Sequence, residues 1–291
     1  MTEGQTRRQF VQMAAIAAAS LSSAPASFGA ATRLFAQNEP AQSKLAGKIP
    51  FNLGLASYSL RKFNLDQTLA MTNRVGLKYI ALKSFHLPLE STQAEIQAAA
   101  AKVKEAGLEL YGGGVIYMKN QDEVNRAFDY AKAAGMKLII GAPDPGLLPL
   151  VNKKVQEYDV KLAIHNHGPG DKIYPTPASA YEKIKDLDKR IGLCDDIGHT
   201  QRSGVNPSES ASEFADRLLD VHIKDVSQAT AKGGGVEVGR GVIDIPRYLK
   251  TLIKVGYRGV LAFEYEKDAD DPLPGLAESI GYVKGVMAAI S

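Results

Sequence analysis

From residue 52 onward the apolar positions follow two alternating rhythms. Stretches with the helical period end in glycine, and a short continuous apolar run follows each of them. Asn64–Val75 ends at Gly76 and leads into Leu77–Leu82. Ser91–Ala106 ends at Gly107 and leads into Leu108–Tyr111, and Gln121–Ala134 ends at Gly135 and leads into Met136–Ile140. Glycine there suits a left-handed helix C-cap, and an unbroken apolar run suits a parallel strand buried on both faces. These glycines are spaced 31 and then 28 residues apart, the length of one βα unit.

The pattern continues. It predicts strands at Asn52–Ser57, Lys161–Asn166, Ile191–Asp195, Asp220–Ile223 and Val260–Phe263. It predicts helices at Leu147–Tyr158, Pro177–Leu187, Ser208–Arg217, Ile245–Val255 and Leu273–Ile290. Eight strands alternating with eight helices imply a single-domain α/β fold, a (β/α)8 TIM barrel over residues 51–291. No glycine-rich dinucleotide loop follows the first strand, which disfavours a doubly wound open sheet.

Composition narrows the function. Apolar residues make up 45% of the 291 and charged residues 23%, which excludes a disordered or collagen-like chain. A formal net charge of +3 speaks against a nucleic-acid binder with a broad basic face. The single cysteine, Cys194, leaves no intramolecular disulfide and no cysteine-cluster metal site. Arg7-Arg8, the alanine-rich run from Met13 and the small residues near Ala30 form an export-signal pattern over residues 1–36, with a polar linker at 37–50. The paired arginines resemble a twin-arginine signal, which implies the twin-arginine export machinery as a partner and a periplasmic or exported location. The apolar run is too weak for a stable membrane span.

All five histidines, His86, His165, His167, His199 and His222, fall at or just after the carboxyl end of a predicted strand. In a TIM barrel that end carries the active site. His165 and His167 share a face of extended chain, as do His222 and Lys224, and Glu264 and Glu266. Asp196 and His199 can both reach the barrel mouth from the turn after strand six. The convergent set is His165, His167, Asp196, His199, His222, Lys224 and Glu264. Imidazole with carboxylate suits a divalent ion, manganese, zinc, cobalt or iron, in an open catalytic site. Tyr58 and Ser59 after strand one, Lys83 and His86 after strand two, and Arg240 in the loop Lys232–Gly241 are candidates for contacting substrate. Cys194 lies within a strand and reads as a small buried apolar group.

These motifs carry a resemblance. Ile164-His-Asn-His-Gly-Pro169, Gly192-Leu-Cys-Asp-Asp-Ile-Gly-His199, Val221-His-Ile-Lys-Asp225, Val238–Asp244 and Gly256–Glu264 resemble, in this order, the sugar phosphate isomerase/epimerase superfamily. That superfamily comprises xylose isomerase-like barrels and includes the endonuclease IV type. The resemblance spans about residues 51–290. It implies one metal ligand from each of strands five to eight, with Asp196, His222 and Glu264 matching strands six, seven and eight. His199 and Lys224 match positions that contact substrate or handle protons. Where many relatives carry Glu, strand five here has His165. Others with His-Asn-His carry a Glu where Gly170 stands, so His165, His167 and Asp171 remain open for the fourth ligand, with His165 preferred because it is on the strand.

The resemblance implies proton abstraction beside a carbonyl through an enediolate, on a small carbohydrate. Glu264 and His165 stand in the acid/base slots, and His199 and Lys224 assist. His167, Tyr58, His86 and Arg240 would bind substrate. Isomerisation, epimerisation, and elimination from a keto-sugar or 3-keto-glycoside share this first half-reaction. An abasic-site endonuclease needs a basic DNA groove that the charge does not supply. A non-catalytic sugar-binding barrel is the third alternative.

Overall fold

The computed structural model describes residues 49–290; the expected signal at 1–36 and the linker up to residue 48 lie outside the described residues. Eight parallel strands close a barrel. They are β1 (Asn52–Ala56), β2 (Tyr79–Leu82), β3 (Glu109–Met118), β4 (Leu138–Pro143), β5 (Lys161–His165), β6 (Ile191–Asp196), β7 (Leu218–Ile223) and β8 (Val260–Phe263). Each strand pairs with its neighbours in sequence, and the pairing of Asn52 with Val260 closes the ring between β1 and β8. The helices are α1 (Leu65–Arg74), α2 (Gln93–Glu105), α3 (Gln121–Ala133), α4 (Leu148–Tyr158), α5 (Pro177–Ile184), α6 (Ile197–Arg202), α7 (Pro207–Glu213), α8 (Ile245–Lys254) and α9 (Leu273–Ile290). Asn64, Thr92 and Thr176 begin α1, α2 and α5 with reciprocal capping boxes. Gly76, Gly107 and Gly135 sit at φ between +69° and +74°, as the C-cap reading requires. Among the described residues no helix is long and apolar enough to cross a membrane.

The core has two parts. Outward-facing strand residues such as Leu55, Ile80, Ile139, Leu162, Leu193, Val221 and Leu261 pack against the helices. The lumen is a separate cluster that includes Ala56, Ala81, Ala163, Cys194 and Ala262. The pleat puts every second residue on one face. Lumen residues Ala81, Ala163, Cys194 and Ala262 are therefore followed inward by Lys83, His165, Asp196 and Glu264. Alanines and Cys194 with Tyr111, Leu138, Ile140 and Val260 below, and ionisable residues above, give the barrel a packed lumen and a polar mouth.

The structure departs from the sequence pattern in three places. The strand expected at Leu108–Tyr111 runs on to Met118 through Gly112-Gly113-Gly114. Those glycines do not break it because β4 lies against them: a Cβ on Gly112 would sit 2.9 Å from the Leu138 carbonyl oxygen, and one on Gly114 would sit 1.9 Å from that of Ile140. The register shifts between Gly113 and Ile116, and this bulge carries Tyr117 to the mouth side. The six-residue helix α6 follows β6 directly, a length too short for periodicity to reveal. Finally, the loop after β7 pairs Gly235–Val236 antiparallel with Asp225–Val226.

Candidate metal and substrate site

The carboxyl ends of β5–β8 bring four side chains together. Ligand-type atoms of His165, Asp196, His222 and Glu264 all lie within 4.8 Å of one another, and all four residues are buried. His165 Nε2 lies 3.1 Å from His222 Nδ1 and 3.3 Å from Asp196 Oδ2. Glu264 Oε2 lies 3.3 Å from His222 Nδ1 and 3.9 Å from His165 Nε2.

Local structure aims each group. Asp196 caps α6: its Oδ1 accepts from the His199 amide at 2.9 Å, which leaves Oδ2 for the cluster. Asn166, the middle of His-Asn-His, fixes the backbone at that turn. Its Oδ1 accepts from the Asp196 amide at 2.9 Å, and its Nδ2 donates to the Asp196 carbonyl at 3.3 Å. Ser59 accepts from the Tyr265 amide at 2.8 Å and donates to the Phe263 carbonyl at 3.1 Å, bracketing Glu264. Behind His222, the buried Asp220 carboxylate stands 3.6 Å from Nε2 and accepts from Cys194 Sγ at 3.3 Å.

Lys224 is the cation of the cluster. Its Nζ lies 2.8 Å from Asp196 Oδ2, 2.7 Å from Glu264 Oε2 and 2.9 Å from Glu266 Oε1. Burial opposes its charge, but Asp196, Glu264 and Glu266 outweigh burial and hold its pKa well above the usual range. The carboxylates respond in kind. Burial pushes Glu264 up, yet Lys224 and His222 bring it well below the ordinary value. Burial likewise raises Asp196, and the charges of His199 and Lys224 with the His165 contact lower it overall. Burial drives His165 well below the histidine range, so it is neutral with a lone pair available. His222 goes the other way, because Glu264 and Asp220 overcome burial.

This donor set fits a divalent cation. Two imidazole nitrogens and two carboxylate oxygens converge from four strands, without thiolate. That is the mixed nitrogen and oxygen environment of zinc, manganese, cobalt or iron sites. Of the three candidates for the strand-five position, only His165 joins this cluster. His167 Nε2 bonds the Tyr117 hydroxyl at 2.8 Å, and its Nδ1 faces Asp171 Oδ2 at 3.3 Å. Asp171 is itself tied to the Ile173 and Tyr174 amides.

The other expected site residues divide. His199 reaches the cluster rim, with Nε2 4.0 Å from Asp196 Oδ2 and Nδ1 3.3 Å from Arg202. Tyr58 lies at the mouth beside Lys83 and Arg61. His86 is buried and fully engaged, with Nδ1 on Ser57 Oγ and Nε2 on Thr68 Oγ1 and the Phe63 carbonyl, so it braces β1 against β2. Arg240 turns outward and makes a two-pronged ion pair with Glu278 on α9. In His-Ile-Lys-Asp the aspartate serves the loop. Asp225 accepts from the amides of Val226, Gly239, Gly241 and Ile243, and a Cβ on Gly241 would sit 2.1 Å from its Oδ1. Tyr117 was missed at the sequence level because it lies beyond three glycines that read as the end of a strand.

Known proteins share this arrangement of elements. Over 147 residues the chain is 31% identical to the rhizopine catabolism protein MocC of Rhizobium meliloti, covering 45% of this chain and 43% of that protein. It is 27% identical over 152 residues to inosose dehydratase of Geobacillus kaustophilus, covering 44% and 45%. The matches thus span less than half the length of these relatives. The structure superposes on that of 3-keto-D-glucoside 4-epimerase from E. coli with a TM-score of 0.66 at 16% identity, covering 81% of this chain and 99% of that one. Residues 64–286 match the family described as xylose isomerase-like TIM barrel. With its closed barrel and its polar mouth, the chain belongs to the xylose isomerase-like TIM barrel family.

Proposed function

We propose that the protein is a divalent-metal-dependent isomerase or epimerase of a small carbohydrate. The observation that carries this reading is the buried convergence of His165, Asp196, His222 and Glu264 around Lys224. Those four side chains would hold the ion. When bound, the ion supplies Lewis-acid polarisation of a carbonyl.

The chain's own groups supply the rest. Glu264, held ionised by Lys224, takes the proton from the carbon beside the carbonyl. Lys224 Nζ donates to the oxygen on which negative charge develops. Return of the proton to the neighbouring carbon isomerises the sugar. Delivery of a different proton to the opposite face of the original carbon, from a histidine N–H of His165, His167 or His199 that solvent then reprotonates, epimerises it. Burial of these groups keeps bulk water from quenching the intermediate.

Elimination is the second reading, and one observation favours it. The Tyr117 hydroxyl, backed by His167, is a further proton carrier at the mouth, suited to a departing oxygen. The name of the Geobacillus relative, a dehydratase, points the same way. We include in the proposal export through the twin-arginine route, carried by residues 1–36. Changing Arg7 and Arg8 to lysine should retain the protein inside the cell.

The deciding experiment is elemental mass spectrometry of wild type beside His222→Ala, with solvent-deuterium exchange into keto-sugars. About one equivalent of ion in the wild type, lost in the variant together with exchange, is expected. A wild type that takes up no ion on soaking sinks the reading and leaves a sugar-binding barrel.

A further inference from the structure

The mouth is electrically divided. On the β5–β8 side, Asp196, Glu264 and Glu266 already share Lys224. On the β1–β2 side stand Arg61 and Lys83, and among the described residues no carboxylate lies within ion-pair distance of either. Arg61 Cζ lies 4.7 Å and Lys83 Nζ 5.2 Å from the centroid of the Tyr58 ring. Arg61 spends its donors on neutral carbonyls, those of Tyr58 at 3.2 Å and Glu266 at 2.6 Å. Its charge is therefore not cancelled.

Lys83 is the sharper case. Among the described residues its ammonium has neither a hydrogen bond nor an ion pair. The pleat makes it inward-facing, two residues above the lumen residue Ala81. Its stem is fixed at the root. The Lys83 amide donates to Ser57 Oγ at 2.8 Å, and that hydroxyl is 2.8 Å from His86 Nδ1. Burial lowers the Lys83 pKa, and the charges of Glu264 and Lys224 are both felt there, which places it within electrostatic range of the cluster. A half-buried cation on an aromatic face, without a counter-ion, leaves a place for a negative group from outside.

We propose that Lys83, with Arg61 beside it on the Tyr58 ring, forms a subsite for an anionic substituent of the sugar. A substrate would lie across the mouth with its carbonyl end toward Asp196, His222 and Glu264 and its anionic end toward Lys83. A carboxylate and a phosphate satisfy the same chemistry. The inference rests on the carbohydrate reading of the site and names the class within it: a sugar acid or a sugar phosphate rather than a neutral sugar.

Titration calorimetry of the full chain at neutral pH tests it, with D-glucuronate, D-glucose 6-phosphate and D-glucose as probes. The expected result is binding of one or both anions at least about tenfold tighter than glucose. The preferred anion tells carboxylate from phosphate. Lys83→Gln should remove the preference and Lys83→Arg should keep most of it, with metal content and melting temperature like wild type in both. Equal affinities, no binding of either anion, or a preference surviving in Lys83→Gln overturns the proposal. Metal content on the same samples separates the two readings. An anion preference in protein that takes up no metal keeps the subsite and removes the isomerase.

Discussion

Strand β7 ends in a buried cation on either side, and the two are built differently. Arg217 precedes it at the barrel floor, and Lys224 follows it at the mouth. Arg217 donates to four main-chain carbonyls, those of Lys185, Leu187, Asp188 and Ile191, at 2.7 to 2.9 Å. Gly192 lets the Arg217 backbone approach, since a Cβ there would be 2.2 Å from its carbonyl oxygen. Lys224 instead meets three carboxylates, two of which also face the histidine cluster. Carbonyls neither ionise nor change partners, so the floor is a fixed clamp on the end of α5. Carboxylates can exchange an ammonium for a metal or a substrate proton, so the mouth can do chemistry. The same charge, buried at the two ends of one strand, is held at the floor by groups that cannot ionise and at the mouth by groups that can.

Substitutions at the two ends should therefore fail in different ways. The largest effect is expected from His222→Ala, which removes one of the four converging side chains and leaves Asp196 and Glu264 with only His165 and Lys224. Bound metal should fall to background with turnover, while circular dichroism stays that of the barrel. Retention of both would show that the cluster is not a metal centre. Lys224→Met should lower kcat by about 100-fold or more, the scale for losing a preorganised donor to a developing oxyanion. A change confined to KM would assign Lys224 to binding only.

Arg217→Leu should act on folding and spare the chemistry. Four main-chain carbonyls, one buried and three partly buried, lose their charged donor, and a loss of about 3 kcal/mol of stability is expected in chemical denaturation. The folded fraction should still bind metal at wild-type stoichiometry. Altered stoichiometry there would break the separation of floor from mouth.

The smallest effect depends on pH. Burial raises the Asp195 carboxyl from 3.8 to about 7, against the lowering effect of its bonds to Thr200 and Tyr248. The folded state therefore holds this proton more tightly than the unfolded state. Its contribution to stability is complete below about pH 4 and is lost as pH rises through about 7. Asp195→Asn should accordingly raise the melting temperature of metal-free protein relative to wild type at pH 8.5, and give no comparable gain at pH 4. A gain of equal size at both values would show that ionisation is not its source.

Much of this was legible in the chain. Helical periods closed by glycine and followed by apolar runs have few physical solutions, and their repetition at βα length leaves the closed barrel. The placement of histidines and carboxylates at strand ends follows from the same pattern. Strand position separates His165 from His167, but the bonding partners of His86, His167 and His199 are not readable from it. Period two says which face a side chain takes, but not which partner waits for it across the barrel.

The amino-acid sequence thus determined the eightfold alternation, the end of the barrel that carries ionisable groups and the residue types available there, because these depend on local periodicity and hydrophobic burial. Strand position alone favoured His165, and tertiary structure showed why: His167 and Asp171 are engaged elsewhere while His165 meets Asp196, His222 and Glu264. Tertiary structure also decided that His86 and Arg240 point elsewhere, that Tyr117 reaches the mouth past three glycines, and that Lys83 has no ion pair among the described residues. The physical reason is common to all of these. Hydrogen bonds and ion pairs are short-ranged and directional, and their partners here come from strands and helices distant in sequence, brought within a few ångströms only when the barrel closes.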